Sequence, residues 1–243
     1  MREIIDRARS ALIWALTLPV FLLACAAVAL GSFVLSGRAL ERLIKAGSRA
    51  VLFVAGVRVE IVGRENVAPG RQYLALMNHV NFFDPLVFQI AFPAPLRGIE
   101  EESHFRWPVY GATIRRIGMF PINRKDTAQA IETLRRAAAW LRERPDFSFG
   151  VMPEGTRTLD GRLGPFKRGG FLMALETGLE VLPVVQTGAF EIARKGSLNI
   201  RPGKVTVTIA PPIPVAGYSK ETVGDLIDRV RRIFLDVLEG PSA

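Results

Sequence analysis

His79 and Asp84 stand five positions apart in MNHVNFFDPLVF, residues 77–88, where an apolar run gives way to a loop. An aspartate at that distance can fold back across one tight turn and accept a hydrogen bond from an imidazole nitrogen. The bond fixes the tautomer, and the carboxylate stabilises the imidazolium that forms when the other nitrogen removes a proton. Such a dyad is a general base suited to a hydroxyl. A lone histidine is more often structural, so the spacing alone leaves both readings open. Metal binding is the weaker alternative, because a zinc site needs several ligands. The second histidine, His104, lies in the unrelated segment EESHFRW. No metal and no cofactor are expected.

Two further stretches end predicted strands with charge. GMFPINR (118–124) closes on Arg124, and VMPEGTRT (151–158) carries Glu154, Gly155, Thr156 and Arg157. Arginines at such loop positions suit bidentate binding of a phosphate. Gly155 permits close backbone approach, and Thr156 adds a hydroxyl donor. GPFKRGG (164–170) places Lys167 and Arg168 ahead of a helical run, where an anion could bind at the helix N-terminus. Each cation by itself could equally be a solvated surface charge.

Short apolar runs must position these loops. RVEIVG (58–63), YLALMN (73–78), FSFGVM (147–152), EVLPVV (180–185) and KVTVTIA (204–210) read as strands, with LRGIEE (96–101) and GMFPI (118–122) as weaker ones. Asp84-Pro85 resembles a helix start, so His79 falls in a strand-to-helix turn. Residues 126–144 carry Ile131, Leu134, Ala138 and Leu141 at helical spacing, and Thr222–Leu238 carries a stripe from Val223 to Val237. Strands interleaved with helices predict an α/β fold with a mixed, largely parallel sheet flanked by helices.

The N-terminal part is different. From Ala11 to Leu35 there is no charge, a length sufficient at about 1.5 Å per residue to cross a hydrocarbon core of ~30 Å. Arg38, Arg42, Lys45 and Arg49 then recur at spacings of four, three and four, opposite Leu40, Leu43, Ile44, Val51 and Val54. That helix should lie on an anionic bilayer. Residues 1–56 are therefore expected to form a membrane-anchoring helical hairpin, and 57–243 the α/β domain. A cleaved signal peptide competes, but the run is long for one and lacks a clear small-residue cleavage site. Pro19 could kink the first helix, leaving full spanning and one-leaflet insertion both open. Cations flank the run on both sides and give no orientation. The single cysteine, Cys25, sits inside the run, compatible with a reducing compartment, and the globular domain is expected on the cytoplasmic face.

A net charge of +9 calls for an anionic partner. Nucleic acid is not expected: the cations are not interleaved with aromatics in a recognisable motif, and the uncharged anchor points to lipid. A non-catalytic protein that holds anionic lipid is the alternative from outside the enzymes.

Together and in this order, four blocks resemble the glycerolipid acyltransferase family that includes 1-acyl-sn-glycerol-3-phosphate acyltransferases. They are His79 with Asp84, Gly118 to Arg124, Pro153-Glu154-Gly155-Thr156-Arg157, and Val181-Leu182-Pro183-Val184. The resemblance spans roughly Arg58 to Pro214. It implies that His79 deprotonates the hydroxyl of a lysophospholipid, that the alkoxide attacks an acyl thioester on coenzyme A or acyl carrier protein, and that Asp84 steadies the imidazolium. It also implies that Arg124, Glu154, Gly155, Thr156 and Arg157 hold the acceptor's phosphate, Glu154 by orienting an arginine or a substrate hydroxyl. Asn81, Asn123 and Met152 depart from the common pattern and leave acceptor preference open, a lyso-ornithine lipid being the other candidate. The absence of a G-x-S-x-G elbow agrees with direct transfer.

Overall fold

Residues 73–77, Tyr-Leu-Ala-Leu-Met, are all buried, as a strand is when both faces of its sheet are covered. In the computed structural model, which describes residues 2–240, this run is the middle strand of a seven-stranded sheet. The elements run α1 (Arg2–Gly31), α2 (Gly37–Val54), β1 (Val57–Val62), β2 (Tyr73–Met77), α3 (Asp84–Ala91), β3 (Leu96–Glu101), α4 (Tyr110–Arg116), β4 (Phe120–Ile122), α5 (Thr127–Arg142), β5 (Ser148–Val151), α6 (Arg168–Thr177), β6 (Glu180–Thr187), α7 (Ala189–Ile192), β7 (Gly203–Ile209) and α8 (Val223–Glu239). The sheet order is β1-β7-β6-β2-β5-β3-β4. Every pairing is parallel except β6 with β7, so the sheet is mixed and largely parallel.

Successive side chains of a strand point to opposite faces, and β2 divides the core accordingly. Tyr73, Ala75 and Met77 join Leu52, Val87 and Phe88 on one side. Leu74 and Leu76 join Phe149, Phe171, Val230 and Phe234 on the other. The hairpin and α3 thus cover one face, and α5, α6 and α8 the other. In α5, Ala138 and Leu141 are buried as the periodicity predicts, whereas Ile131 stays half exposed because it faces a cavity.

α1 is a single helix of 30 residues with Pro19 inside it. Among the described residues it is the one helix long and apolar enough to cross a membrane. It also docks along the globular part. Ser10, Ile13, Thr17, Cys25 and Val28 are buried, while Leu12, Leu16, Leu23 and Leu30 are exposed. The Ser10 hydroxyl meets the backbone of Ile200, and Trp14 Nε1 donates to the carbonyl of Leu198 at 2.8 Å. Nearer the C-terminal end, the Thr113 hydroxyl donates to the carbonyl of Cys25 at 2.9 Å.

α2 joins the same body. Gly56, at a φ of 74°, turns the chain from α2 into β1, a conformation that favours glycine. Glu41 of α2 forms a buried ion pair with Arg97 of β3, so the hairpin is fastened by charge as well as by apolar packing. Removing one partner of such a pair strands the other's charge, which makes the link hard to break.

Candidate active site

β2 ends at Met77, and the chain crosses to α3 through Asn78–Phe83. His79 therefore stands at the carboxyl edge of the parallel strands, where open α/β sheets bind ligands. Asp84 opens α3 with Pro85 in its first turn. The Asp84 side chain is buried, and its Oδ2 accepts from His79 Nδ1 at 2.7 Å, Val80 N at 2.6 Å and Asn81 N at 3.0 Å. A carboxylate can only accept, so it assigns the proton to Nδ1 and leaves Nε2 with a free lone pair.

The turn is clamped from outside as well. Asn78 and Gln186 exchange three hydrogen bonds of 2.8–3.0 Å. Asn81 donates to the carbonyl of Ala189 at 2.8 Å and accepts from Phe83 N at 2.8 Å. Both asparagines thus shape the loop. Phe82 stacks on Trp14 of α1, so the apolar helix touches the turn directly.

Glu154 makes different contacts from those expected. Its Oε1 accepts from the backbone N–H of His79 and its Oε2 from that of Gly164, both at 2.8 Å. Through these bonds Glu154 ties the His79 turn to the loop after β5, and among the described residues no arginine bonds to it. Thr158 N donates to the carbonyl of His79 at 2.9 Å and closes the same clamp. Burial pushes the Glu154 carboxyl above its ordinary pKa, against the pull of the two N–H donors.

His79 opens onto a cavity of about 410 Å³. Its lining combines the cations Arg124, Lys167 and Arg168 and the backbone of Gly155 with the apolar side chains of Phe88, Leu96, Ile99, Met119, Ile122 and Leu134. Lys167 lies over Gly155, which has a φ of 70° and no side chain to obstruct it. Arg124 Nε is 3.4 Å from Glu101, and Arg168 donates to the carbonyl of Lys220 at 3.0 Å. Gly98 and Gly150 line the cavity where no β-carbon would fit: one at Gly98 would stand 2.6 Å from the carbonyl oxygen of Gly150, and one at Gly150 would stand 2.8 Å from the Phe88 ring.

Not all expected residues converge here. Thr156 and Arg157 lie outside the cavity lining. The Thr156 hydroxyl accepts from Lys195 Nζ at 2.8 Å. Arg157 is half-buried as a residue, and its guanidinium makes no hydrogen bond or ion pair among the described residues. On α2, Arg38, Arg42 and Arg49 are exposed, but Lys45 leaves the basic face. Its Nζ donates to the carbonyls of Phe92 at 2.7 Å and Pro93 at 2.9 Å, capping the end of α3, where a cation is favoured. Burial lowers its pKa, with Glu41 opposing.

His104 belongs to a separate cluster. It bonds Glu100 at 2.7 Å, and Tyr110 donates to the other oxygen of Glu100 at 3.1 Å. Burial would raise the Glu100 pKa, but these bonds outweigh it and hold the carboxyl below its ordinary value. Sequence reasoning passed over Gln186, Arg97 and Trp14. A glutamine inside the apolar run VLPVVQT was a readable signal for the first; the partners of the other two are distant in the chain.

The Acyltransferase family model matches residues 58–187, more than half of the chain. The 1-acyl-sn-glycerol-3-phosphate acyltransferase of Limnanthes alba is 29% identical over 185 residues, covering 76% of this chain and 65% of that protein. The human 1-acyl-sn-glycerol-3-phosphate acyltransferase alpha is 29% identical over 187 residues, covering 77% and 66%. The chain thus aligns with somewhat less than two thirds of these relatives' length. The crystal structure of the 1-acyl-sn-glycerophosphate (LPA) acyltransferase PlsC from Thermotoga maritima superposes with a TM-score of 0.82 over all of both chains at 23% identity, a likeness of fold.

Proposed function

The chain belongs to the Acyltransferase family, and we propose that it moves an acyl group from a thioester to the free sn-2 hydroxyl of 1-acyl-sn-glycerol 3-phosphate, giving phosphatidic acid. One observation carries this reading: a His–Asp dyad opens onto a cavity lined by three cations and by apolar side chains. A phosphate suits the first and an acyl chain the second. The similarity to proteins named for this activity supports the choice of acceptor.

His79 Nε2 takes the hydroxyl proton as the oxygen attacks the thioester carbonyl. Asp84 holds the ring and offsets the imidazolium charge. The tetrahedral intermediate collapses, the C–S bond breaks, and the imidazolium returns its proton to the departing thiolate. Ester and thiol are formed, and His79 is regenerated. Arg124, Lys167 and Arg168 supply the charge that holds the acceptor's phosphate. The donor is acyl-CoA or acyl carrier protein, which present the same thioester to this machinery.

The exposed apolar side of α1 rests in one leaflet while its other side stays docked on the globular domain, which faces the cytoplasm. Arg38, Arg42 and Arg49 lie at the anionic surface.

The test is to incubate purified protein with lysophosphatidate and palmitoyl-CoA and follow phosphatidate by mass spectrometry. Wild-type protein should form product, and His79→Ala none. Asp84→Asn should lower kcat by about 10³–10⁴-fold, through loss of the correct tautomer. Turnover retained in His79→Ala would refute the base assignment.

A further inference from the structure

Two acyl chains must come close to His79 in this reaction, one on the donor and one already on the acceptor. The apolar part of the cavity beside His79 suits one. A second crevice of about 100 Å³ lies between the hairpin and the globular domain, walled by Phe21 and Val28 of α1, Ile44 and Val51 of α2, and Ile114 and Ile117 at α4. We infer that this crevice takes the resident sn-1 acyl chain of the lysolipid acceptor, an inference that rests on the acyltransferase reading above.

Three observations identify this occupant. The crevice and the catalytic cavity share a wall, since Pro85, Gln89, Glu100 and Met119 line both. Pro85 directly follows Asp84, so a chain in the crevice lies one wall away from the dyad.

Most polar groups around the crevice are turned to protein partners; the exception is Gln89, whose Nε2 donates to the carbonyl of Leu96 at 3.1 Å while its Oε1 has no partner among the described residues. Ser48 donates to the carbonyl of Ile44 at 3.0 Å, and Thr113 donates to the carbonyls of Cys25 and Val109, both at 2.9 Å. Glu100 is held by His104 and Tyr110. Apart from that one Gln89 oxygen the walls offer hydrocarbon, which suits an alkyl chain and not a headgroup.

Finally, two of the walls are the hairpin helices, and the outer side of α1 exposes Leu12, Leu16 and Leu23. A lipid drawn from a leaflet meets this surface first. Its chain reaches the crevice without leaving an apolar environment, whereas a donor thioester arrives with a large polar carrier. The volume holds part of a chain, and the remainder lies along α1.

A lysophosphatidate carrying a diazirine midway along its sn-1 chain would be photolysed with the full chain in nanodiscs, and the labelled peptides mapped. Labels are expected within residues 21–28, 44–51 and 110–117. Labels confined to the outer side of α1 would mean the chain stays in the leaflet, and labels confined to the neighbourhood of Ile131 and Leu134 would mean it uses the catalytic cavity; either overturns the inference. Equal labelling by a phosphatidylcholine with the same diazirine would also overturn it, in favour of bulk lipid.

Val28→Phe, narrowing the crevice, should raise KM for a 16-carbon lysophosphatidate about tenfold. It should leave a 6-carbon acceptor and the donor chain-length profile unchanged. A shift in donor preference instead would assign the crevice to the donor. Should that variant fail to fold, the labelling map still decides. Wild-type turnover in the same preparation separates the two levels: labelling without turnover would sink the acyltransferase reading alone, and turnover without crevice labelling would sink this inference alone.

Discussion

Trp14 of the apolar helix stacks on Phe82 in the turn that carries the dyad, with ring centroids 5.2 Å apart and planes inclined by 28°. Its indole N–H is fixed on the carbonyl of Leu198 at 2.8 Å, so both the position and the tilt of the ring are determined. The helix that would rest in the leaflet is thereby a structural neighbour of His79. Phe82 in turn contacts Phe83, at 4.3 Å between centroids, and Asp84 follows next in the chain.

Replacing Trp14 by alanine should therefore act on both stability and catalysis. Loss of the aromatic pair and of half-buried area is worth about 2 kcal/mol, visible as a lowered Tm. kcat should fall as the turn loosens, while Trp14→Phe, which keeps a stacking ring, should recover most of it. An alanine variant with lowered Tm and unchanged kcat would mean that the stack holds the helix but not the turn.

Much of this architecture was legible in the sequence because it follows from local periodicity. β2 is buried on both faces, and YLALMN carries no charge to contradict that; the α5 stripe has a spacing no strand would show. The dyad was legible too, since its two members are separated by one turn. The role of Glu154 was not. Its partners are backbone N–H groups of His79 and Gly164, and a backbone donor leaves no residue type to read. Lys45 failed for a related reason: its helical spacing matches the three arginines, but the carbonyls that end α3 come within reach only after α2 packs against it.

That difference on α2 can be measured. Replacing Arg38, Arg42 and Arg49 by glutamine should weaken binding to anionic vesicles, by about 1 kcal/mol per charge near the surface, with the thermal midpoint little altered. Lys45→Gln should do the reverse, lowering the midpoint and leaving vesicle affinity nearly intact. Vesicle sedimentation and thermal unfolding on the wild type and these variants distinguish the two. Equal loss of vesicle binding from Lys45→Gln would return that residue to the membrane face.

Arg124 and Arg157 make a second contrast. Arg124 lines the cavity with His79, and Arg157 does not. A charge-assisted hydrogen bond to phosphate contributes about 1.5–3 kcal/mol, so Arg124→Ala should raise KM for lysophosphatidate by roughly 10- to 100-fold. The rise for Arg157→Ala should be smaller. Initial-rate kinetics with varied acceptor decide it, and a larger effect from Arg157 would put the phosphate on the outer side of the loop.

Glu154 and Glu100 should leave opposite marks on stability. Glu154 has its pKa raised by burial, so the native state keeps that proton to higher pH than the unfolded chain does. Unfolding free energy must then fall as pH rises from about 4.5, the ordinary value, through the raised one. Glu100 is held below the same ordinary value by His104 and Tyr110, which outweigh its burial. Its contribution is present above about 4.5 and is lost as pH falls through its native value. Urea unfolding between about pH 3 and pH 7 should accordingly show Glu154→Gln flattening the decline on the neutral side and Glu100→Gln flattening the loss on the acid side. Glu154→Gln should also be less stable than wild type at neutral pH, by about 1–3 kcal/mol, because one buried N–H would face an amide donor. If Glu154→Gln unfolds with the same pH slope as wild type, the carboxylate is not the group that sets it, and its clamp on His79 carries no titratable cost.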